Sequence, residues 1–456
     1  MADHALSRLQ PVDVRRRTQL VELREKAVAA QAAAETQRLS QIAQTSYLLG
    51  KLPVETLVEI FTMLIDEDHT WVVKLSHVCG HWRRILINTP SAWQTIVLSK
   101  KHPLQKAKLW KQRAKNRISR ISVAVSSLDR ALVFAQLQDL SWDDLSSLYI
   151  SREGLTELHR MLSDLSLPHV LSKLDELTVL DFKASEELSC CLSGPNWKLK
   201  ILHLSGVVMM MDEWWQRIQQ LKELHISGSI GRFSMLVFTA NPSLERLVLD
   251  GPIIERADIE PAPTSMDNLK SVECRGIPDV FHILRAITAP SIAHFGMFGT
   301  AIMPDETLLH MASRPSLVEL HVTNCSLSPS TLPTLLSSTP NLETLQINAI
   351  YAVANEVFQF LTPKMADALP CRALKHVDVS WCSDLTTSSM YAFVKTRAQY
   401  ASESVGSAEK CAVIASLKVD GCPNIEPDML PWFRSKVARF SCVYVAKKDQ
   451  KKNRRW

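Results

Sequence analysis

A leucine-patterned unit recurs along most of this 456-residue chain, and no other feature restricts its fold as much. The unit reads L-x-x-L-x-L with apolar substitutions. It is clearest in LKILHLSG (199–206), LKELHISG (221–228), LERLVLDG (244–251), LVELHVTNC (317–325), LKHVDVSWC (374–382) and IASLKVDGC (414–422). Weaker copies begin at Ile118, Leu145, Leu177, Leu269, Ile292, Leu342 and Val437. From 199 to 342 successive starts lie 22 to 25 residues apart. A short run of alternating apolar residues is a strand, and a fixed period of this length is one supersecondary unit stacked on the next.

Two further regularities fix what happens between the strands. The eighth position is glycine at Gly206, Gly228, Gly251, Gly276, Gly299 and Gly421, where the backbone must turn sharply out of the strand. A proline stands two residues ahead of the unit at Pro242, Pro290, Pro315 and Pro340, ending one helical stretch and feeding the next strand. The patterns DEWWQRIQ (212–219), DVFHILRAI (279–287) and DETLLHMAS (305–313) predict helices between strands. The period resembles that of leucine-rich repeats. The expected fold class is therefore α/β: a solenoid with parallel strands on a concave face and helices outside, following a short all-α module. Thirteen such units at roughly 4.8 Å per strand make a ladder on the order of 60 Å long, large enough for a protein ligand.

In this arrangement positions 1, 4 and 6 enter the core, and positions 3, 5 and 7 stand on the concave face. The expected target-binding residues are His203, His225, Arg246, Glu273, Glu319, His321, Gln346, Asp378 and Lys418. His203 and His225 fall in adjacent units and should be near neighbours, a spacing that suits a pH-sensitive or metal-binding pair; with no third ligand beside them, a partner-binding surface is the favoured reading. Cys325, Cys382 and Cys422 take the ninth position and Cys274 and Cys442 the sixth, where they fill the core. The inserts Ile254–Met266 and Ala401–Cys411 are expected to be loops on the rim.

Ahead of the array lies Lys51–Trp93, KLPVETLVEIFTMLIDEDHTWVVKLSHVCGHWRRILINTPSAW. Leu52-Pro53 opens a helix, and Leu57, Ile60, Phe61 and Leu64 recur on one face of it. Val72, Val73, Leu75, Val78, Cys79 and Trp82 form a second apolar set at helical spacing. A domain this small hides too little surface to bury so many large apolar residues, so its surplus face needs a partner. The order LP-x-E-x-L-x-x-IF, L-x-x-V-C-x-x-WR and P-x-x-W resembles the F-box, and the VCGHWR to NTPSAW passage looks like the F-box-like proteins that fungi carry. The resemblance implies docking to a Skp-type adaptor, and through it to a cullin, by Leu52, Pro53, Leu57, Ile60, Phe61, Leu64, Val78, Cys79 and Trp82. It implies a substrate receptor of an SCF-type ubiquitin ligase, with a non-degradative scaffold as the alternative.

The remaining sequence narrows the function by exclusion. A net charge of +5 is small for this length and does not point to nucleic acid. Nine Lys or Arg occur between Lys100 and Arg120 without an acid, read as a solvated helix packing through Leu104, Ala107, Leu109 and Trp110. None of the ten cysteines forms a C-x-x-C pair, no stretch has the length of a membrane span, and a cytoplasmic or nuclear protein is expected. His77 and His81 share a helix face beside Cys79, but the HExxH acid is missing and no metal is expected. Nucleophile elbows, phosphate loops and dinucleotide fingerprints are absent, so neither a catalytic site nor a cofactor is indicated. The expected division is an N-terminal helical leader (1–49), an F-box-like domain (50–95), a repeat domain (96–446) and a basic tail (447–456).

Overall fold

The computed structural model describes residues 52–98, 101–123, 127–183, 197–209, 215–228, 230–232, 235–251, 253–255, 264–276, 281–299, 305–363, 369–403 and 411–443, together with Gln37. The leader apart from Gln37, the basic tail, and the middles of both inserts (256–263 and 404–410) lie outside the described residues. The chain divides into two compact units, Met1–Trp93 and Gln94–Trp456.

The first unit consists of helices Val54–Glu67, Trp71–Ser76 and Gly80–Ile87 and a 3-10 turn, Pro90–Trp93. Pro53, with φ of −54°, leads into the first helix, and Glu55 in its first turn favours the positive dipole end. Leu57, Phe61 and Ile65 fall four residues apart and are the buried line of that helix. The apolar run expected to form one helix from Val72 to Trp82 is instead broken. Cys79 is extended (φ −156°, ψ 167°) and caps the next helix, its Sγ accepting the Trp82 amide at 3.5 Å. Gly80 has no side chain to favour continuation, and Arg83 Nε donates to Ser76 O at 2.9 Å, closing the preceding helix from outside. His77 and His81 thus lie on different elements.

In the second unit fourteen strands follow one another in chain order as a single parallel sheet, from Thr95–Leu98 to Arg439–Ser441. The ladder starts one rung earlier than the repeat pattern suggested, because Thr95–Leu98 pairs with Arg120–Val123. One phase also shifts. Thr178 pairs with His203 and Tyr149, so that repeat starts at Leu174 rather than Leu177, with Leu174, Leu177 and Val179 as its buried trio. LDELTVLDF fits the motif in two phases, and the lateral register selects one.

Core positions behave uniformly in the middle of the array. Leu244, Leu247 and Leu249, then Leu269, Val272 and Cys274, Ile292, Phe295 and Met297, Leu317, Leu320 and Val322, and Leu342, Leu345 and Ile347 have no exposed surface. Each such side chain contributes roughly 1.5–3 kcal/mol of burial. Position 8 is left-handed in ten consecutive repeats. Six use glycine, with φ between 62° and 129°, and four use Asp181 (51°), Asn324 (52°), Ala349 (53°) and Trp381 (66°). At Gly228 and Gly251 an added Cβ would lie 2.3 and 2.0 Å from the carbonyl oxygen of the preceding repeat's glycine.

The ninth-position cysteines form a ladder. The thiol of Cys382 donates to Ile347 O at 3.2 Å, that of Cys422 to Val379 O at 3.2 Å, and Cys325 lies 3.9 Å from Met297 O, each a position-6 carbonyl of the repeat before. Burial pushes the thiols of Cys274 and Cys382 up to about 12 and that of Cys422 to about 11, leaving them protonated packing groups. Cys442 is half-buried because its strand is the sheet's last.

Helices Phe281–Arg285 and Asp305–Ala312 stand where the sequence placed them. Of the pattern at 212–219, residues 212–214 lie outside the described residues; Trp215 is helical, the chain turns after it, and Ile218 forms an isolated bridge to Trp197. The first insert is not wholly loop. Ile253–Glu255 pairs with Ile230–Arg232, and Thr264–Ser265 pairs with Ile287–Thr288. No helix among the described residues is long and apolar enough to cross a membrane.

Candidate interaction surfaces

The first candidate surface belongs to the helical unit. Of the nine residues expected to meet an adaptor, Pro53, Ile60, Val78 and Cys79 are exposed, and Leu52, Leu64 and Trp82 are half-buried. Leu57 and Phe61 are corrections: at 1% and 2% exposure they are the unit's own core, and the Phe61 ring meets that of Trp82 at 4.8 Å, tilted by 58°. Four residues per helix repeat carries both lines, one inward through Leu57, Phe61 and Ile65 and one outward through Ile60, and periodicity alone does not say which is which. Val54, Met63, Val73 and Ile87 are exposed large apolar residues that the motif did not flag. Trp93, fully buried, donates its indole N–H to Leu86 O at 2.8 Å and ties the Pro90–Trp93 turn to the third helix. Asp68 sits in the turn before Trp71; the hydroxyl and amide of Thr70 hold its carboxyl down at about 2.

The second is the open face of the sheet. Register places Val97, Ser122, Tyr149, Thr178, His203, His225, Val248, Glu273, Gly296, His321, Gln346, Asp378, Lys418 and Ser441 in one lateral row. All fifth-position candidates are therefore brought together, while Arg246 and Glu319 lie in the parallel third-position row. The His203 and His225 rings are edge to face at 5.2 Å. A second pair, His294 and His321, repeats that geometry at 5.0 Å.

Between the pairs runs a chain of charge. His203 Nε2 is 3.2 Å from Glu223, Glu223 is 3.7 Å from Arg246, and Arg246 Nη2 donates to Glu273 at 2.9 Å. Arg275 Nη2 donates to the other Glu273 oxygen at 2.7 Å, and His294 Nδ1 is 2.9 Å from Glu319. Burial raises the pKa of Glu273, but the hydrogen bonds from Arg275 and Arg246 outweigh it and leave the carboxyl below its usual value. Burial, and then the facing His203, push His225 down; burial, and then His294, do the same to His321. Farther along, Asp378 accepts from the Ser380 amide and hydroxyl and lies 3.8 Å from Lys418. Glu223, Asp250, Arg275 and His294 are face residues that the fifth-position reading omitted; their third and seventh positions were the available signal.

The basic helix Pro103–Arg113 buries Pro103, Ala107 and Trp110, but Leu109 is exposed. Lys111 pairs with Asp139 at 2.6 Å and Arg117 with Asp144 at 3.1 Å. Among the described residues no group of three His, Cys, Asp or Glu is placed to hold a metal ion.

The first unit is thus a set of short helices with exposed apolar residues, and the second a parallel strand–turn–helix ladder of the leucine-rich-repeat kind with an open polar face. The F-box-like family model matches residues 49–99. Among solved structures the chain is similar to Rad7 in its complex with Elc1 from yeast, at 12% identity over 98% of this chain and 100% of that one, with a TM-score of 0.40. It is also similar to the internalin InlF of Listeria monocytogenes, at 11% identity over 79% and 90%, TM-score 0.37. A leucine-rich-repeat protein of Leptospira interrogans matches at 12% identity over 78% and 97%, TM-score 0.34. No curated protein matches the chain.

Proposed function

We propose that this chain is the substrate-recognition subunit of a cullin-based, SCF-type ubiquitin ligase, acting in the cytoplasm or nucleus. The F-box-like unit docks on a Skp-type adaptor, and the open sheet face holds a target protein. The observation that carries this reading is the apolar set left outside the F-box-like unit, with Val78 60% exposed and Ile60 39% exposed. Such residues in a unit with its own core lose water contact only against a partner. The mechanism is proximity: a target held on the ladder meets a charged conjugating enzyme at raised effective concentration, and this chain does not touch the reacting bond.

Co-purification of the full chain with adaptor and cullin tests the docking half. Ile60→Asp with Val78→Asp should abolish recovery of both partners while the circular dichroism stays unchanged; retained recovery sinks the docking claim. Adaptor without cullin would favour a non-degradative scaffold. The face is tested separately: Gln346→Ala with Lys418→Glu should deplete the proteins recovered with the wild-type chain.

A further inference from the structure

The six strands Ile201–Met209, Glu223–Ser227, Arg246–Asp250, Ser271–Arg275, His294–Phe298 and Glu319–Thr323 are consecutive in the sheet, and all their face positions are defined. These positions hold four carboxylates, Glu223, Asp250, Glu273 and Glu319, against two guanidiniums, Arg246 and Arg275. Two negative charges remain while His203, His225, His294 and His321 are neutral. With all four protonated the same face carries two positive charges.

The four carboxylates are not equivalent. Glu273 is enclosed by both guanidiniums, and Glu223 is shared by His203 and Arg246. Glu319, with its side chain 46% exposed, meets only His294, and Asp250 makes no ion pair among the described residues. Glu319 and Asp250 are three rungs apart in the sheet and at opposite ends of their strands. That places them about 14 Å apart across the strands and about 13 Å along them, or about 20 Å on the diagonal. An extended segment of about six residues spans that distance.

We infer that this part of the open face takes an extended, lysine- or arginine-bearing segment of the target protein and releases it on acidification. The inference rests on the reading of the open face as the target surface. Complementary charge on a cleft or face favours such a partner and rejects an acidic one. The release follows from what surrounds the imidazoles. His225 faces His203, Glu223, Asp250 and Arg275 beside Val248; His321 faces His294, Glu319, Glu273 and Asp378 beside Gln346. Burial, with the facing imidazole second, keeps both neutral at neutral pH. Protonation below that range sets two cations within one ring pair and cancels the negative charge the segment meets.

Fluorescence anisotropy of labelled hexalysine on the full chain, in moderate salt, tests this directly. Binding at about pH 7.5 should weaken about tenfold in Asp250→Asn with Glu319→Gln, and about tenfold in the wild type on moving to about pH 5.5. His203→Gln, His225→Gln, His294→Gln and His321→Gln combined should bind at about pH 7.5 and lose most of that pH dependence, and His225→Gln with His321→Gln alone about half of it. Circular dichroism on each variant checks that the ladder remains folded. Hexalysine that does not bind the wild type, that binds the carboxylate variant equally well, or whose binding ignores pH overturns the inference. If Gln346→Ala with Lys418→Glu still depletes recovered proteins in that case, the face is a target surface of another chemistry, and only this inference falls.

Discussion

At the scale of single residues, the left-handed eighth position separates two kinds of glycine. Gly276, at φ of 62°, has nothing within 4 Å of an added Cβ, whereas Gly251 would set that atom 2.0 Å from Gly228 O. Gly276→Ala should therefore cost only the left-handed backbone penalty, about 1 kcal/mol. Gly251→Ala adds a backbone clash that no rotamer relieves, and its denaturant midpoint should fall well below that of Gly276→Ala. Ala349 already occupies the left-handed region at 53°, so Ala349→Gly should be neutral or stabilising by up to about 1 kcal/mol, despite the freer unfolded chain. These contrasts are checked by urea titration of the three variants. The glycine pattern was readable in the sequence because the backbone demand is local; which glycines are also sterically locked depends on the neighbouring repeat and was not.

At the scale of elements, the longest helix among the described residues, Thr387–Glu403, carries a fully buried arginine. Arg397 donates to Cys371 O at 2.9 Å and to Pro370 O at 2.6 Å, and no carboxylate pairs with it among the described residues. It acts as a clamp between that helix and the turn leading into strand His376–Asp378. Arg397→Ala removes both of these charge-assisted hydrogen bonds, although Cys371 O keeps the Leu374 amide at 3.0 Å and Pro370 is only half-buried, and should cost about 2–3 kcal/mol. Because stability in a stacked array is largely a nearest-neighbour property, the loss should appear as faster amide exchange in the repeats on either side of Arg397, with the first rungs unaffected. In the helical unit Leu57→Ala should cost about 2–5 kcal/mol and Ile60→Ala far less, a difference read from thermal melts. The helical spacing of 57, 60, 61 and 64 was plain in the sequence, and the inward and outward lines were not, since only packing against Trp82 and the third helix sets them apart.

At the scale of the whole chain, acid should weaken the fold in two stages. His225 and His321 have folded pKa values below the usual 6.5, so the unfolded chain binds protons there first; the stability they contribute is present above that pH and lost as the pH falls through it toward their folded values. Glu273, held below 4.5, adds a second loss as the pH falls beneath that value. Denaturant midpoints measured across this range should show both legs, with the first flattened in His225→Gln with His321→Gln. The period of the apolar unit, its glycine turn and its buried positions were set by sequence alone, because side-chain alternation and backbone φ are properties of neighbouring residues. The phase at Leu174 and the charge chain from His203 to Glu319 were decided by tertiary structure. Their partners lie 20 residues apart for His203 and Glu223 and 27 for Arg246 and Glu273, and only the lateral register of the strands brings such residues within bonding distance.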